Sequence, residues 1–505
     1  MLMEYKPTIG LEIHVELKTQ TKMFCSCLND PDEKHPNVNV CPICLGHPGT
    51  LPTINKEAIK KVLKVGLVLE GEISEYSEFS RKNYFYPDLP KGYQISQYQH
   101  PLVKAGALKI PFSDKKIRLT RVHIEEDTGR LIHQKDSSLV DFNRAGVPLM
   151  EMVTEPDISS AQEARIFSEE FRLLLRYLDV SDADMEKGQM RVEANISLSK
   201  PRLETEFPSK LGNSVSKIKS ETKFGTKVEI KNLNSFRAVE RAIDYEIKRQ
   251  QEILEKREKV VQETRGWDET KQKTVSQRFK EESHDYRYFP EPDLPPMRVL
   301  EVEEFKPDNL AKQIPELPWK KRERFQKEYG VEKEALGILL NDKDLSDYFE
   351  KVRTELLSFN KKEKPGVLTK LLLNYLTSDL LGLLKEKSAE VKDLLIKPED
   401  FAELIAMIAK NEISSRAAKD VLKIMFEKGE DPHSIIKREG LRQVSEEREL
   451  EKIARKVIEE NPAPVSDFKK GKANALEFLV GKAMAQTCGR ANPETVRGIF
   501  KKIVS

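Results

Sequence analysis

Four of the five cysteines fall within twenty residues, as Cys25-Ser-Cys27, thirteen intervening residues, then Cys41-Pro-Ile-Cys44. Two close pairs joined by a loop long enough to fold back bring four soft thiolates to one tetrahedral centre, and Zn²⁺ is the natural occupant. Four protein ligands leave no open coordination position, so such a site is structural. The competing reading is four buried or disulfide-linked cysteines, and without a secretory signal disulfides are disfavoured. Cys488 lies alone among helical residues and reads as an inert buried thiol.

A second set of residues alternates with apolar ones. Glu12, His14 and Glu16 interleave with Leu11, Ile13, Val15 and Leu17, so a strand here points all three ionisable groups to one face, neighbours about 6–7 Å apart. Two carboxylates held that closely repel unless a cation or donor lies between them; the alternative is the solvated outer face of an ordinary strand. In Arg121-Val-His-Ile-Glu-Glu126 the alternation puts Glu126 with Val122 and Ile124, where an unpaired carboxylate is costly, and Glu151 sits similarly inside the run Val147 to Val153. Met190 to Leu198 offers Arg191, Glu193, Asn195 and Ser197 on one face. If these strands share a sheet, one face is a polar concavity lined with acids, whose hard oxygen ligands suit Mg²⁺ carrying nucleotide phosphates. His14 fits Mn²⁺ equally, or a role as donor behind the ligands. There is no Walker motif, no G-x-G-x-x-G after a strand, no kinase signature and no G-x-S-x-G, so bound ATP would lie on an open sheet.

Ser80 to Ser96 mixes aromatics with Arg81, Lys82 and Lys91, a composition that can stack on bases or simply pack. From Asn461 to Ser505, eight basic residues (Lys469, Lys470, Lys472, Lys482, Arg490, Arg497, Lys501, Lys502) stand against three acidic ones. This is either a polyanion footprint or a solvated helical face.

The elements that must position these residues follow from length and periodicity. A chain of 505 residues should hold about three domains, and a net charge of +2 excludes a protein that coats nucleic acid by bulk charge. With 38% hydrophobic and 34% charged residues and no apolar run of about 20, no membrane span is expected. No secretory or organellar address is legible, so a cytoplasmic location is expected. Val192 to Leu198 alternates at period two, whereas Ala161 to Leu178 has helical spacing after a capping box at Ser160-Ala-Gln-Glu163. Four prolines in the seven residues 290–296 mark a linker, and beyond about 320 the pattern is helical, broken again at Asn411 and at Asn461-Pro-Ala-Pro464. The expected fold class is α+β: residues 1–294 carrying a mainly antiparallel sheet with the zinc insert at about 25–44, a helical domain at 295–410, and an all-α tail at 411–505.

Several longer runs are more idiosyncratic. Gly10-Leu-Glu-Ile-His-Val-Glu-Leu17, Arg81-Lys-Asn-Tyr-Phe-Tyr-Pro-Asp88, Tyr93-Gln-Ile-Ser-Gln97, Glu125-Glu-Asp-Thr-Gly129, Val228-Glu-Ile-Lys-Asn-Leu-Asn-Ser235 and Asp285-Tyr-Arg-Tyr-Phe-Pro-Glu-Pro292 closely resemble the B subunit of the bacterial aspartyl/glutamyl-tRNA(Asn/Gln) amidotransferase. The resemblance covers essentially the whole chain. It implies a cradle domain related to the glutamine synthetase fold, a helical domain and a YqeY-type tail that touches tRNA. It implies a C–N ligase reaction in which ATP phosphorylates the side-chain carboxylate of Glu-tRNA(Gln) or Asp-tRNA(Asn) and ammonia displaces phosphate. By the family pattern Glu12, His14, Glu126 and Glu151 form the Mg²⁺ and ATP site, and Lys82 and Lys91 stand near the mouth of an ammonia channel; the tail's basic excess makes Lys469, Lys470, Lys472, Lys482 and Arg490 the expected tRNA contacts. The implied partners are an amidase-type A subunit that supplies ammonia, a small C subunit, the misacylated tRNA and the cognate aminoacyl-tRNA synthetase. Three departures stand out: Glu193 where the family pattern has Asp, a longer, polar segment at 200–222 that reads as a flexible insertion, and Cys488 where Lys is common. The competing classes are a non-catalytic, zinc-containing RNA-binding protein, which has no use for buried acids, and the archaeal-type paralogue, whose additional domain 505 residues leave no room for.

Overall fold

The computed structural model describes residues 5–200, 224–279, 286–360, 363–441, 447–469, 472–487, 491 and 493–504. The segment 201–223, Lys470, Cys488 and Arg490, singled out above, therefore lie outside the described residues. The chain divides into two compact units, Met1–Pro318 and Trp319–Ser505.

The first unit is built on one large sheet. Its main strands are β1 (Lys6–Glu16), β2 (Tyr76–Asn83), β3 (Tyr93–His100), β4 (Lys116–Glu126), β5 (Pro148–Thr154), β6 (Met190–Ser199), β7 (Val228–Leu233), β8 (Glu263–Asp268) and β9 (Lys273–Phe279). They lie in the order β9-β8-β7-β6-β1-β5-β4-β3-β2, antiparallel throughout except for the parallel pair β7–β8. β1 shows why the sheet has two characters. Ile9, Leu11, Ile13 and Val15 are at most 1% exposed, whereas Glu12, His14 and Glu16 are only half-buried. Period-two alternation thus separates a packed face from a polar one, and each apolar side chain so buried contributes roughly 2 kcal/mol.

Three helices brace the sheet: α1 (Lys56–Val68), α2 (Ala161–Tyr177) and α3 (Phe236–Glu255), with α3 packed on β6 and against α2. α2 begins where expected, because the Ser160 hydroxyl accepts the Glu163 N–H at 3.1 Å. The second half of the capping box does not form: the Glu163 carboxylate accepts from Ser159 N at 2.8 Å and from Lys115 instead. The proline-rich stretch read as a linker is integrated into the first unit. Phe289–Pro290 and Met297–Arg298 add to β2 as edge pairings, a position that tolerates proline, and the buried Glu291 carboxylate receives two Arg81 N–H groups at 2.7 Å.

The second unit is helical, as its Leu/Lys/Glu composition predicts. Helix Pro398–Ala409 packs against both Ser415–Lys428 and Pro432–Glu439, so the break at Asn411 is a turn between neighbouring helices. The last four helices, Glu447–Glu460, Pro462–Lys469, Ala473–Gln486 and Pro493–Val504, share a core around Ala454, Val457, Leu479 and Phe500. Among the described residues one helical stretch, Pro365–Lys387, is long and apolar enough to cross a membrane by composition. Its Leu368, Leu372, Leu376, Leu380 and Leu384 are buried at 4% exposure or less, the pattern of a core helix.

Candidate active site and metal centre

Strand register carries one row of ionisable groups across four strands. Arg191 on β6 lies opposite His14 on β1, His14 opposite Glu151 on β5, and Glu151 opposite His123 on β4. His14 Nε2 lies 3.2 Å from Glu151 Oε2 and 3.7 Å from Glu12 Oε1. On the other side of Glu151, His123 Nε2 lies 3.7 Å from Glu151 Oε2 and 3.3 Å from Glu125 Oε1. Two triads sharing Glu151, Glu12–His14–Glu151 and His123–Glu125–Glu151, each bring ligand atoms within 4.8 Å of one another. Oxygen-rich sets with one imidazole suit a hard divalent cation, and the charge they gather requires one or a proton in its place.

Glu126 points away from this cluster. Along β4, His123 and Glu125 project to the polar face, while Val122, Ile124 and Glu126 project to the packed side. The Glu126 carboxylate accepts from Ile95 N at 2.9 Å and is clasped by the Lys91 ammonium, itself nearly buried. The family-pattern grouping of Glu126 with Glu12, His14 and Glu151 is therefore not the one the backbone makes; the β4 carboxylate that meets Glu151 is Glu125, through His123. The signal was available in the sequence, since Glu125 shares parity with His123 and Glu126 with Val122 and Ile124. Glu125 is held by the Ser96 hydroxyl at 2.6 Å and Gln94 Nε2 at 2.9 Å, with Lys82 Nζ at 3.8 Å. Lys82 and Lys91 thus serve neighbouring carboxylates on opposite faces.

The electrostatics follow from crowding. Burial alone would lower the His14 pKa, but the hydrogen bond and charge of Glu151, with Glu12 behind it, push it up to about 9. Glu12 rises to about 6 through burial and the Glu151 charge, against the pull of His14. Burial would raise Glu151, yet His123 and His14 outweigh it and bring it to about 2. Glu125 is likewise lowered despite burial, chiefly by Lys82. With its pKa so raised, the His14 imidazolium offsets the carboxylate charge of Glu151 and Glu12 at neutral pH. One row further along, Glu16 is pushed up to about 8 by burial and the charge of Asp127, whose own carboxylate receives Arg191 Nη2 at 2.6 Å. Glu193, expected on this face, pairs with Lys231 at 2.8 Å.

The four cysteines converge as their spacing predicts. Cys25, Cys27, Cys41 and Cys44 are free thiols whose sulfurs all lie within 4.8 Å of one another. A tetrahedral Zn–S distance near 2.3 Å requires sulfur separations of about 3.8 Å, so the set fits zinc with small closure. Cys41 N donates to Cys44 Sγ at 3.1 Å, and the Cys25 thiol, that amide and the Lys22 ammonium hold the Cys44 pKa down to about 5 against burial. In the tail, Lys469, Lys472 and Lys482 are exposed, but Lys472 pairs with Asp467 at 3.1 Å and Lys482 lies over the Phe478 ring. Arg497 is engaged by Glu477 and Glu494.

Comparison with known proteins bears on the same regions. The family model for the GatB/GatE catalytic domain matches residues 7–303, and that for the GatB domain matches residues 357–504. The B subunit of the aspartyl/glutamyl-tRNA(Asn/Gln) amidotransferase of Persephonella marina is 46% identical over 99% of this chain and 100% of its own length. The proteins of the same name from Thermotoga maritima and Caldanaerobacter subterraneus subsp. tengcongensis are each 44% identical, covering 99% and 100% of this chain and 99% and 100% of their own lengths. Matched end to end by these relatives, and with the acidic row, the four-cysteine loop and β4 all inside the catalytic-domain match, the chain belongs to the GatB/GatE family.

Proposed function

We propose that this chain is the B subunit of a tRNA-dependent amidotransferase, an ATP-dependent C–N ligase that amidates the side-chain carboxylate of Glu-tRNA(Gln), Asp-tRNA(Asn) or both. The two triads that share Glu151, Glu12–His14–Glu151 and His123–Glu125–Glu151, on the polar face of the sheet carry the reading, within a family whose relatives bear that name. A pure RNA binder has no use for such a cluster, since it repels phosphate. The reaction needs it. Oxide does not leave from a carboxylate, so the γ-phosphoryl group passes to a carboxylate oxygen, releasing ADP; ammonia then attacks the acyl carbon, loses a proton and expels phosphate.

Glu12, His14, Glu125 and Glu151 would hold Mg²⁺, with His123 behind Glu125 and Glu151. When bound, the cation neutralises charge as the phosphoryl group moves. The chain's own contribution is fixed geometry: Ser96 and Gln94 lock Glu125, Arg121 Nη2 lies 3.4 Å from Glu151, and Lys82 places a cation beside both. Lys82 and Lys91 stand by the ammonia route, and Cys25, Cys27, Cys41 and Cys44 hold one structural Zn²⁺. Ammonia comes from an amidase-type A subunit, with a small C subunit and misacylated tRNA as further partners and the cognate synthetase as an associate. Lys469, Lys470, Lys472, Lys482 and Arg490 face tRNA in the tail, and the complex is cytoplasmic. The functional division proposed is 1–294, 295–410 and 411–505, with the edge pairing at Met297–Arg298 tying the first boundary to the first unit.

The test uses the assembled complex, misacylated tRNA, ATP and free ammonium, which bypasses the glutaminase. Glu151→Gln keeps shape but removes the oxygen shared by both triads, and amidation and tRNA-dependent ADP formation should fall together by about 10²–10³-fold. Near wild-type amidation with ammonium would overturn the site.

A further inference from the structure

The four-cysteine loop touches the buried Lys91–Glu126 pair from both ends. Phe24, next to Cys25, is 3% exposed, and the Lys91 ammonium sits 5.8 Å from its ring and 5.6 Å from that of Tyr93. Gly46, two residues beyond Cys44, has φ +69°, and a Cβ there would lie 2.4 Å from Lys91 Cγ and 3.1 Å from Lys91 Cα. The loop backbone therefore lies directly on the Lys91 stem, an approach only glycine permits. Gly146, with φ +87°, completes the contact: a Cβ there would meet Cys44 Cβ at 3.4 Å and Glu126 Oε2 at 4.0 Å. Behind them the fully buried Lys22 ammonium lies 3.9 Å from Cys44 Sγ and 3.2 Å from Phe142 O.

We propose that the four-cysteine centre is a clamp that positions Lys91 against Glu126, with Gly46 and Phe24 as its jaws. Ligation of Cys25 and Cys44 fixes the residues beside them, of which Gly46 lies on the Lys91 stem and Phe24 beside its ammonium. Lys22 offsets the negative charge of four thiolates around one divalent ion, so the loop stays closed in a buried setting. Gly46 is a positioning residue: it acts on Lys91, and Lys91 acts on Glu126. The consequence for amidation rests on the reading above, in which Lys91 lines the ammonia route, but the clamp itself does not.

Amine acetylation read by mass spectrometry tests it in the assembled complex. Labelling of Lys91 is compared with and without zinc, Mg²⁺ being restored after chelation, with Lys82 and Lys231 on the polar face as internal references. Zinc release should raise Lys91 labelling about tenfold while both references stay within about twofold. Gly46→Ala should expose Lys91 at undiminished zinc content. Continued protection of Lys91 in either case, a parallel rise of all three lysines, or failure of the loop to take up zinc would overturn the clamp. Because labelling needs no turnover, failure of the amidation reading leaves a distinct result.

Discussion

The two clusters in the first unit are assembled in opposite ways. The four thiols come from twenty consecutive residues and meet because one loop folds back. The acid–histidine cluster draws Glu12 and His14, His123 and Glu125, and Glu151 from three strands spread along the chain, and it meets because β1, β5 and β4 are neighbours in register. A metal loop thus depends on local spacing, whereas the acidic face depends on parity along strands. Glu125 and Glu126 show how sharp that dependence is: one residue of register separates a place beside His123 from a place beside Lys91.

Breaking the local cluster should have the largest effect on stability. Cys44→Ser removes one of four ligands, so zinc should be lost and the first unit destabilised by roughly 3 kcal/mol or more, read as a lower urea midpoint and absent metal. Ordinary zinc content and midpoint would show that the thiols are merely buried. Removing the tail helices, residues 447–505, should affect neither cluster, since those helices have a core of their own. The loss should appear as tRNA affinity weaker by about tenfold at moderate salt, with a shallower salt dependence. Unchanged affinity would reduce the tail lysines to a solvated face.

The smallest effect sharpens the acidic side. Glu151 and Glu12 push the His14 pKa up to about 9 from its ordinary 6.5. Its contribution to stability is therefore complete below pH 6.5 and fades as pH rises through about 9. Mg²⁺ competes with that proton, so the thermal stabilisation produced by a fixed Mg²⁺ concentration should grow across the same window, and His14→Gln should flatten the growth. A pH-independent Mg²⁺ effect would separate His14 from the cation.

Much of this was legible in the sequence. The thiol spacing, the strand at Val192 to Leu198, the helix after Ser160, the helical second unit and the shared face of Glu12 and His14 follow from local pattern, whereas Glu151 joined that pair only through the family resemblance. Local pattern already put Glu126 with Val122 and Ile124, away from His123 and Glu125; what it lacked was which strands pair, and so which side chains each carboxylate meets. The prolines at 290–296 misled for a related reason. Proline forbids a central strand but suits an edge, and the availability of the β2 edge is a tertiary fact. His123 stood unremarked between Val122 and Ile124, although its parity with Glu125 was the clue to both.

Neighbouring carboxylates on β4 serve different faces, and Mn²⁺ binding to the full-length chain separates them. Glu125→Gln and Glu126→Gln differ by one position and are alike in chemistry. Titrated with Mn²⁺ at neutral pH with zinc content monitored, Glu125→Gln should bind at least about tenfold more weakly, whereas Glu126→Gln should bind as the unaltered chain does. Mn²⁺ binding lost in Glu126→Gln and kept in Glu125→Gln would place the cation on the other face of the strand and overturn this assignment.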